Sequence, residues 1–186
     1  MLRRLLKGVG LMRERPAEAA GARLYAAAAA QARQPGFYLA GAPDTPTGRF
    51  ELYTLHVVLI LHRLKGQGEE AAEVGQALFD TFVANLDLAL RELGVGDLSV
   101  GKKMRKLGEA FYGRVKSYDA ALAELPEEEP LRDLIARTLF ADADADADTA
   151  LAAPMAAYVA RAAAGLAALP LQDVIAARLT WPETAL

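Results

Sequence analysis

Arg49, His56 and Arg63 recur at intervals of seven within an otherwise apolar stretch, so on a helix they share one face to within about 20° per step. A line of two guanidinium groups and an imidazole serves one of two purposes. It pairs with carboxylates at the edge of a core, or it forms a polar line on the floor of a groove. The other chemistry-bearing residues are spaced against catalysis. His56 and His62 are six apart and point to different sides of a helix, which argues against a zinc pair. Ser99 and Ser117 are the available serines, and neither sits in a GxSxG turn. Gly94-Val95-Gly96 lacks the second half of a phosphate-binding fingerprint, and no strand precedes it. Asp142, Asp144, Asp146 and Asp148 imitate the first half of a calcium loop, but Ala147 stands at the turn glycine and Ala153 at the bidentate glutamate. Asp80 and Asp87 are too sparse for the aspartate-rich magnesium motifs of a prenyl-transferring helical enzyme. The expectation is no catalytic residue, no metal site and no cofactor.

The elements that carry these residues read as helices. Glu69 to Leu93 has Leu78, Phe79, Phe82, Val83, Leu86, Leu90 and Leu93 at spacings of three and four. The helix from Asp97 to about Leu125 repeats the pattern with Val100, Met104, Leu107, Phe111, Val115, Tyr118 and Leu122. Gly94 supplies a left-handed stop between them, and Asp97 can cap the second. A short connection between two striped helices predicts an antiparallel pair. Its second member turns outward a basic face of Lys102, Lys103, Arg105, Lys106, Arg114 and Lys116, opposed by Asp97 and Glu109. Gly48 to Lys65 is apolar almost all round and belongs in the centre of a bundle. Phe37 to Thr47 carries Gly41, Pro43, Asp44 and Pro46 and reads as an eleven-residue loop.

The flanks are less regular. Residues 1–20 open with a basic amphipathic segment, Arg3, Arg4, Lys7, Arg13 and Arg15 facing Leu2, Leu5, Leu6, Val9 and Met12. It lacks the apolar run and cleavage site of a secretory signal. Ala17 to Arg33 is an alanine-rich helix with Leu24 and Tyr25 as its large apolar groups, and Glu127 to about Phe140 is a further helix. Residues 141–148 alternate Ala and Asp and read as a solvated linker. Thr149 to Leu169 has the length of a membrane span, but it is mostly alanine and Arg161 costs about 2.5–3.5 kcal/mol in its middle, so a bundle helix is expected. A short helix over Leu171 to Leu179 closes the pattern.

In 186 residues these elements predict an all-α, single-domain helical bundle with central antiparallel long helices. The net charge of −3 argues against DNA as a partner. Cysteine is absent, which excludes disulfides, thiolate catalysis and Cys-ligated metals together.

Several separated blocks resemble one family. They are Leu24-Tyr25, Gln31 to Arg33 followed by Phe37-Tyr38, PDTPTGRFEL from Pro43 to Leu52, and Leu55-His56. Leu78 to Asp80, LRELGVGDLSVGKKM from Leu90 to Met104 and AFYGR from Ala110 to Arg114 follow. From Leu24 to Leu122 the chain resembles the ubiquinol–cytochrome c chaperone family, assembly factors for respiratory complex III. The resemblance implies an all-α protein without catalysis or prosthetic group that binds newly made cytochrome b. It places Arg49, His56, Arg63, Tyr112 and Arg114 as candidate client-binding residues. Lys102, Lys103, Arg105, Lys106 and Lys116 become a candidate face toward an anionic membrane or the ribosome. A partner subunit accompanies mitochondrial members; this chain, without a transit peptide, reads as bacterial and peripheral at the cytoplasmic face of the inner membrane. The competing expectations are an isoprenoid-lipid-binding protein or enzyme, and a plain helical scaffold.

Overall fold

The computed structural model describes residues 15–141 and 145–184. Its helices are α1 (Pro16–Ala32), α2 (Pro35–Leu39), α3 (Pro46–Leu64), α4 (Glu69–Glu92), α5 (Asp97–Ala123), α6 (Glu129–Leu139), α7 (Ala145–Ala168) and α8 (Leu171–Ile175). No strand occurs among the described residues. The basic segment Met1–Glu14 lies outside them, as do Asp142 and Asp144 of the calcium-like run.

α3 is the organising helix, packed against α1, α4, α5, α6 and α7. Its sequence dictates this position. Leu52, Leu55, Val57, Val58, Leu59 and Ile60 point to every side of the helix, and all are buried. One apolar cluster runs from Ala20 in α1 to Ile175 in α8.

The three helices expected at the centre, α3, α4 and α5, do pack on one another; α3 is buried on every side, and the α4–α5 pair forms a hairpin beside it. Phe79 meets Tyr112 and Phe82 meets Phe111, so the two helices run antiparallel. α4 makes its most extensive packing with α1, not α5. The reason is the small side chains of α1. A Cβ built on Gly21 would lie 2.5 Å from the backbone carbonyl carbon of Ala77, so the two helices touch backbone to backbone. Away from α1 the α4 stripe loses its cover, and Leu86 and Leu90 are half-buried while Leu93 is exposed.

Three local expectations are corrected. The eleven-residue loop is shorter, because Pro35 starts α2 and Pro46 starts α3. Gly94 does end the hairpin's first helix at φ +80°, its N–H donating to the Arg91 carbonyl and that of Val95 to Leu90. The cap of α5, however, is Gly96, and Asp97 instead reaches back to Arg91. The second half of the Ala-Asp alternation is the first turn of α7 rather than linker.

α7 packs against α6 and α3. Residues Leu151–Ala168 have the length and apolarity of a membrane span, yet Ala152, Met155, Ala156, Val159, Ala162 and Leu166 form a buried stripe on the bundle.

Candidate functional site

The PDTPTGR block builds the start of α3. The Thr45 hydroxyl accepts from the Gly48 N–H at 3.1 Å, and Pro46 fills the first helical turn where no N–H is needed. A Cβ on Gly48 would lie 2.1 Å from the Pro43 carbonyl oxygen, so the chain can fold back on itself only with glycine here. Asp44 accepts from Arg49 Nε at 2.6 Å, and that bond holds the Asp44 carboxyl below its ordinary range.

This start of α3 forms one wall of a groove of about 580 Å³, with α1 and the outer half of α4 as the others. Its floor is aromatic. Tyr25 and Phe50 each stand about 6.5 Å from Phe82 between ring centroids (6.5 and 6.4 Å), and Tyr53 carries the Arg33 guanidinium at 5.4 Å. Leu86, Leu88 and Leu93 line the α4 side. Leu88 and Leu93 are 54% and 66% exposed, so the groove opens to solvent along that edge. Arg33, Asp44, Arg49 and Glu92 supply its charged rim. A second groove of about 360 Å³ lies across α4, between it and α5, and shares Phe82 and Leu86 with the first. These surfaces suit an apolar segment with charged ends.

The sequence-derived line of Arg49, His56 and Arg63 does not survive as a common surface. Arg49 is exposed on the groove rim. His56 has no accessible surface, and the reading of it as client-binding is corrected. Its Nδ1–H donates to the Leu52 carbonyl at 2.7 Å, which leaves Nε2 to accept from the Tyr158 hydroxyl at 2.9 Å. Gln31 in turn donates to Tyr158 at 3.1 Å. Burial drives the His56 pKa down to about 4, so the ring is neutral near pH 7. Arg63 is committed to structure as well, donating to the carbonyls of Leu166 and Leu169 at 2.9 Å each, where the C-terminus of α7 needs donors.

Arg114 is likewise redirected. It forms a bidentate pair with Glu51, both bonds at 2.8 Å, with the carboxylate only 7% exposed and the guanidinium 25%. The spacing of charged residues does not single out Glu51, although it is the one carboxylate in α3, and a lone acid in such a helix signals a buried partner. Tyr112 stays at the surface, 62% exposed, with its ring 5.7 Å from Phe79. Lys102, Lys103, Arg105, Lys106 and Lys116 are exposed, and none makes an ion pair among the described residues. Arg105 also lines the second groove.

An all-α bundle with an open, aromatic-floored groove and a separate basic face has the form of a binding protein. The chain belongs to the ubiquinol–cytochrome c chaperone family, whose model matches residues 39–181. It is thus an assembly chaperone of respiratory complex III. The match continues well past Leu122, where the blocks legible in the sequence end. The chain is also similar to the Cbp3 homolog from Brucella abortus, whose crystal structure aligns at a TM-score of 0.80 and 33% identity, covering 99% of this chain and 98% of that one. No curated protein matches.

Proposed function

We propose that the chain binds newly made cytochrome b and acts by holding an apolar client segment, without making or breaking bonds. The groove between α1, the start of α3 and the outer half of α4 is the holding surface. The observation that carries this is its composition: Tyr25, Phe50, Tyr53 and Phe82 beneath, with exposed Leu88 and Leu93 along the open edge. Apolar side chains left in water on a chaperone's groove are a site for a client whose own apolar surface is not yet in the bilayer. The groove also explains the PDTPTGR block, because Asp44, Thr45, Pro46 and Arg49 all line it.

The basic face completes the reading. Lys102 to Lys116 span roughly 20 Å of helix, and four or five cations without an ion pair among the described residues attract an anionic lipid surface within a Debye length of about 8–10 Å. A peripheral place at the cytoplasmic face of a bacterial inner membrane, where cytochrome b is inserted, fits that charge. The test is retrieval of cytochrome b from native membranes by tagged protein. Wild type should retain it, and Leu88→Glu should lose most of it while folding normally. Equal retention by both would exclude the groove.

A further inference from the structure

The connection between α4 and α5 concentrates apolar surface where the fold least needs it. Leu93 closes α4 at 66% exposure, and Leu98 opens α5 fully exposed at 102%. Gly94 and Gly96 between them have no neighbouring atoms where a side chain would stand. The nearby acids are partly neutralised, since Arg91 pairs with both Asp87 at 2.7 Å and Asp97. Leu98, Lys102 and Arg105 are spaced i, i+4 and i+7 and so share one face of α5, with Lys106 beside them. Exposed leucines at the end of a hairpin, backed within two turns by Lys102, Lys103, Arg105 and Lys106, are the two halves of an interfacial anchor.

We infer that the α4–α5 connection is a membrane-insertion tip: Leu93 and Leu98 enter the acyl boundary of an anionic lipid surface while the four cations contact its headgroups. This rests on the reading of the basic face as lipid-facing. Glu92, adjacent to Leu93, keeps a carboxylate beside the tip, so the insertion is shallow. A nucleic-acid surface would satisfy the cations but leave the leucines in water, because single strands are held by stacking on aromatic rings and by charge. The arrangement has a consequence for the client. Leu93 lies on both the tip and the groove, so docking sets the mouth of the groove at the lipid surface. A client segment on its way into the bilayer then meets Leu88 and Leu93 directly.

The chain contains no cysteine, which allows a single reporter to be placed at will. Full-length protein carrying Leu98→Cys labelled with nitrobenzoxadiazole, and a second preparation labelled at Glu73→Cys on an exposed turn of α4, should be mixed with two kinds of vesicle. One is phosphatidylcholine alone and the other is phosphatidylcholine with phosphatidylglycerol. The expected result is binding to the anionic vesicles, with a blue shift of the probe at residue 98 and none at residue 73. Leu93→Ser/Leu98→Ser should bind about tenfold more weakly with all four cations in place. If the protein binds but the residue-98 probe stays in water, or the serine variant binds like wild type, contact is electrostatic only and the insertion tip is overturned, while the lipid-facing reading stands. If wild type binds neither vesicle, or is retained by ribosomal RNA instead, both are overturned.

Discussion

The His56 imidazole and the Tyr158 hydroxyl, 102 residues apart in sequence, meet at 2.9 Å inside the core, the hydroxyl donating to Nε2. Leu52 fixes the tautomer of the ring, the ring fixes the direction of the Tyr158 O–H, and Gln31 supplies the remaining donor. Phe37 packs edge-on against both rings, at 5.4 and 5.0 Å, and Trp181 closes over His56 at 5.2 Å. One polar chain thus ties α1, α3 and α7 together beneath α2 and the C-terminal segment.

Acid should loosen this junction. The unfolded His56 titrates near 6.5 and the folded one at about 4, so the unfolded chain takes up the proton first. The contribution is fully present above pH 6.5 and is lost as the pH falls through 4. Between pH 7 and pH 5 this group alone should remove about 2 kcal/mol of stability. Urea titrations at the two pH values test it, with His56→Gln expected to show a flatter dependence than wild type.

Tyr158→Phe should cost about 1–3 kcal/mol, because it strands His56 Nε2 and the Gln31 amide at a buried position. The loss should appear in the urea midpoint without a change of slope. A cost within error of zero would mean that the relay is not formed.

Arg114→Ala should destabilise by about 3 kcal/mol, since it leaves the Glu51 carboxylate buried and unpaired. The double variant Glu51→Gln/Arg114→Gln should cost less than the sum of its single changes. Chemical denaturation of the four proteins closes the cycle. Additive losses would show that the pair is not coupled.

Two glycines in helices should respond oppositely to alanine. Gly48→Ala must push against the Pro43 carbonyl and should destabilise by about 1–3 kcal/mol despite the better helix former. Gly101→Ala meets nothing within 4 Å and should stabilise α5 by up to about 1 kcal/mol. Thermal melts of the pair decide it.

The helices were legible in the sequence wherever local signals set them. Apolar spacing and Gly94 mark α4 and its end, and the continuous apolar run of α3 marks a helix buried on all sides. What was not legible depends on partners distant in the chain. The spacing of Arg49, His56 and Arg63 correctly puts them on one helix, but their surroundings come from Asp44, Tyr158 and the end of α7. Arg114 looked like part of a basic face because Glu51 is 63 residues away. The groove was hidden for the same reason, being assembled from three helices. Only Leu88 hinted at it, as a large apolar residue off the α4 stripe. The clean stripes of the hairpin put it at the centre together with α3, yet a clean stripe needs cover on one side only.

Whether the groove holds cytochrome b is tested most directly by contact. A photoreactive benzoylphenylalanine at residue 88, introduced into the full-length protein in cells making complex III, should yield an adduct with cytochrome b on irradiation. The same group at residue 73, exposed on α4 away from the groove, should yield none. An adduct from residue 73 equal to that from residue 88, or cytochrome b captured by neither, would contradict the groove as the client site.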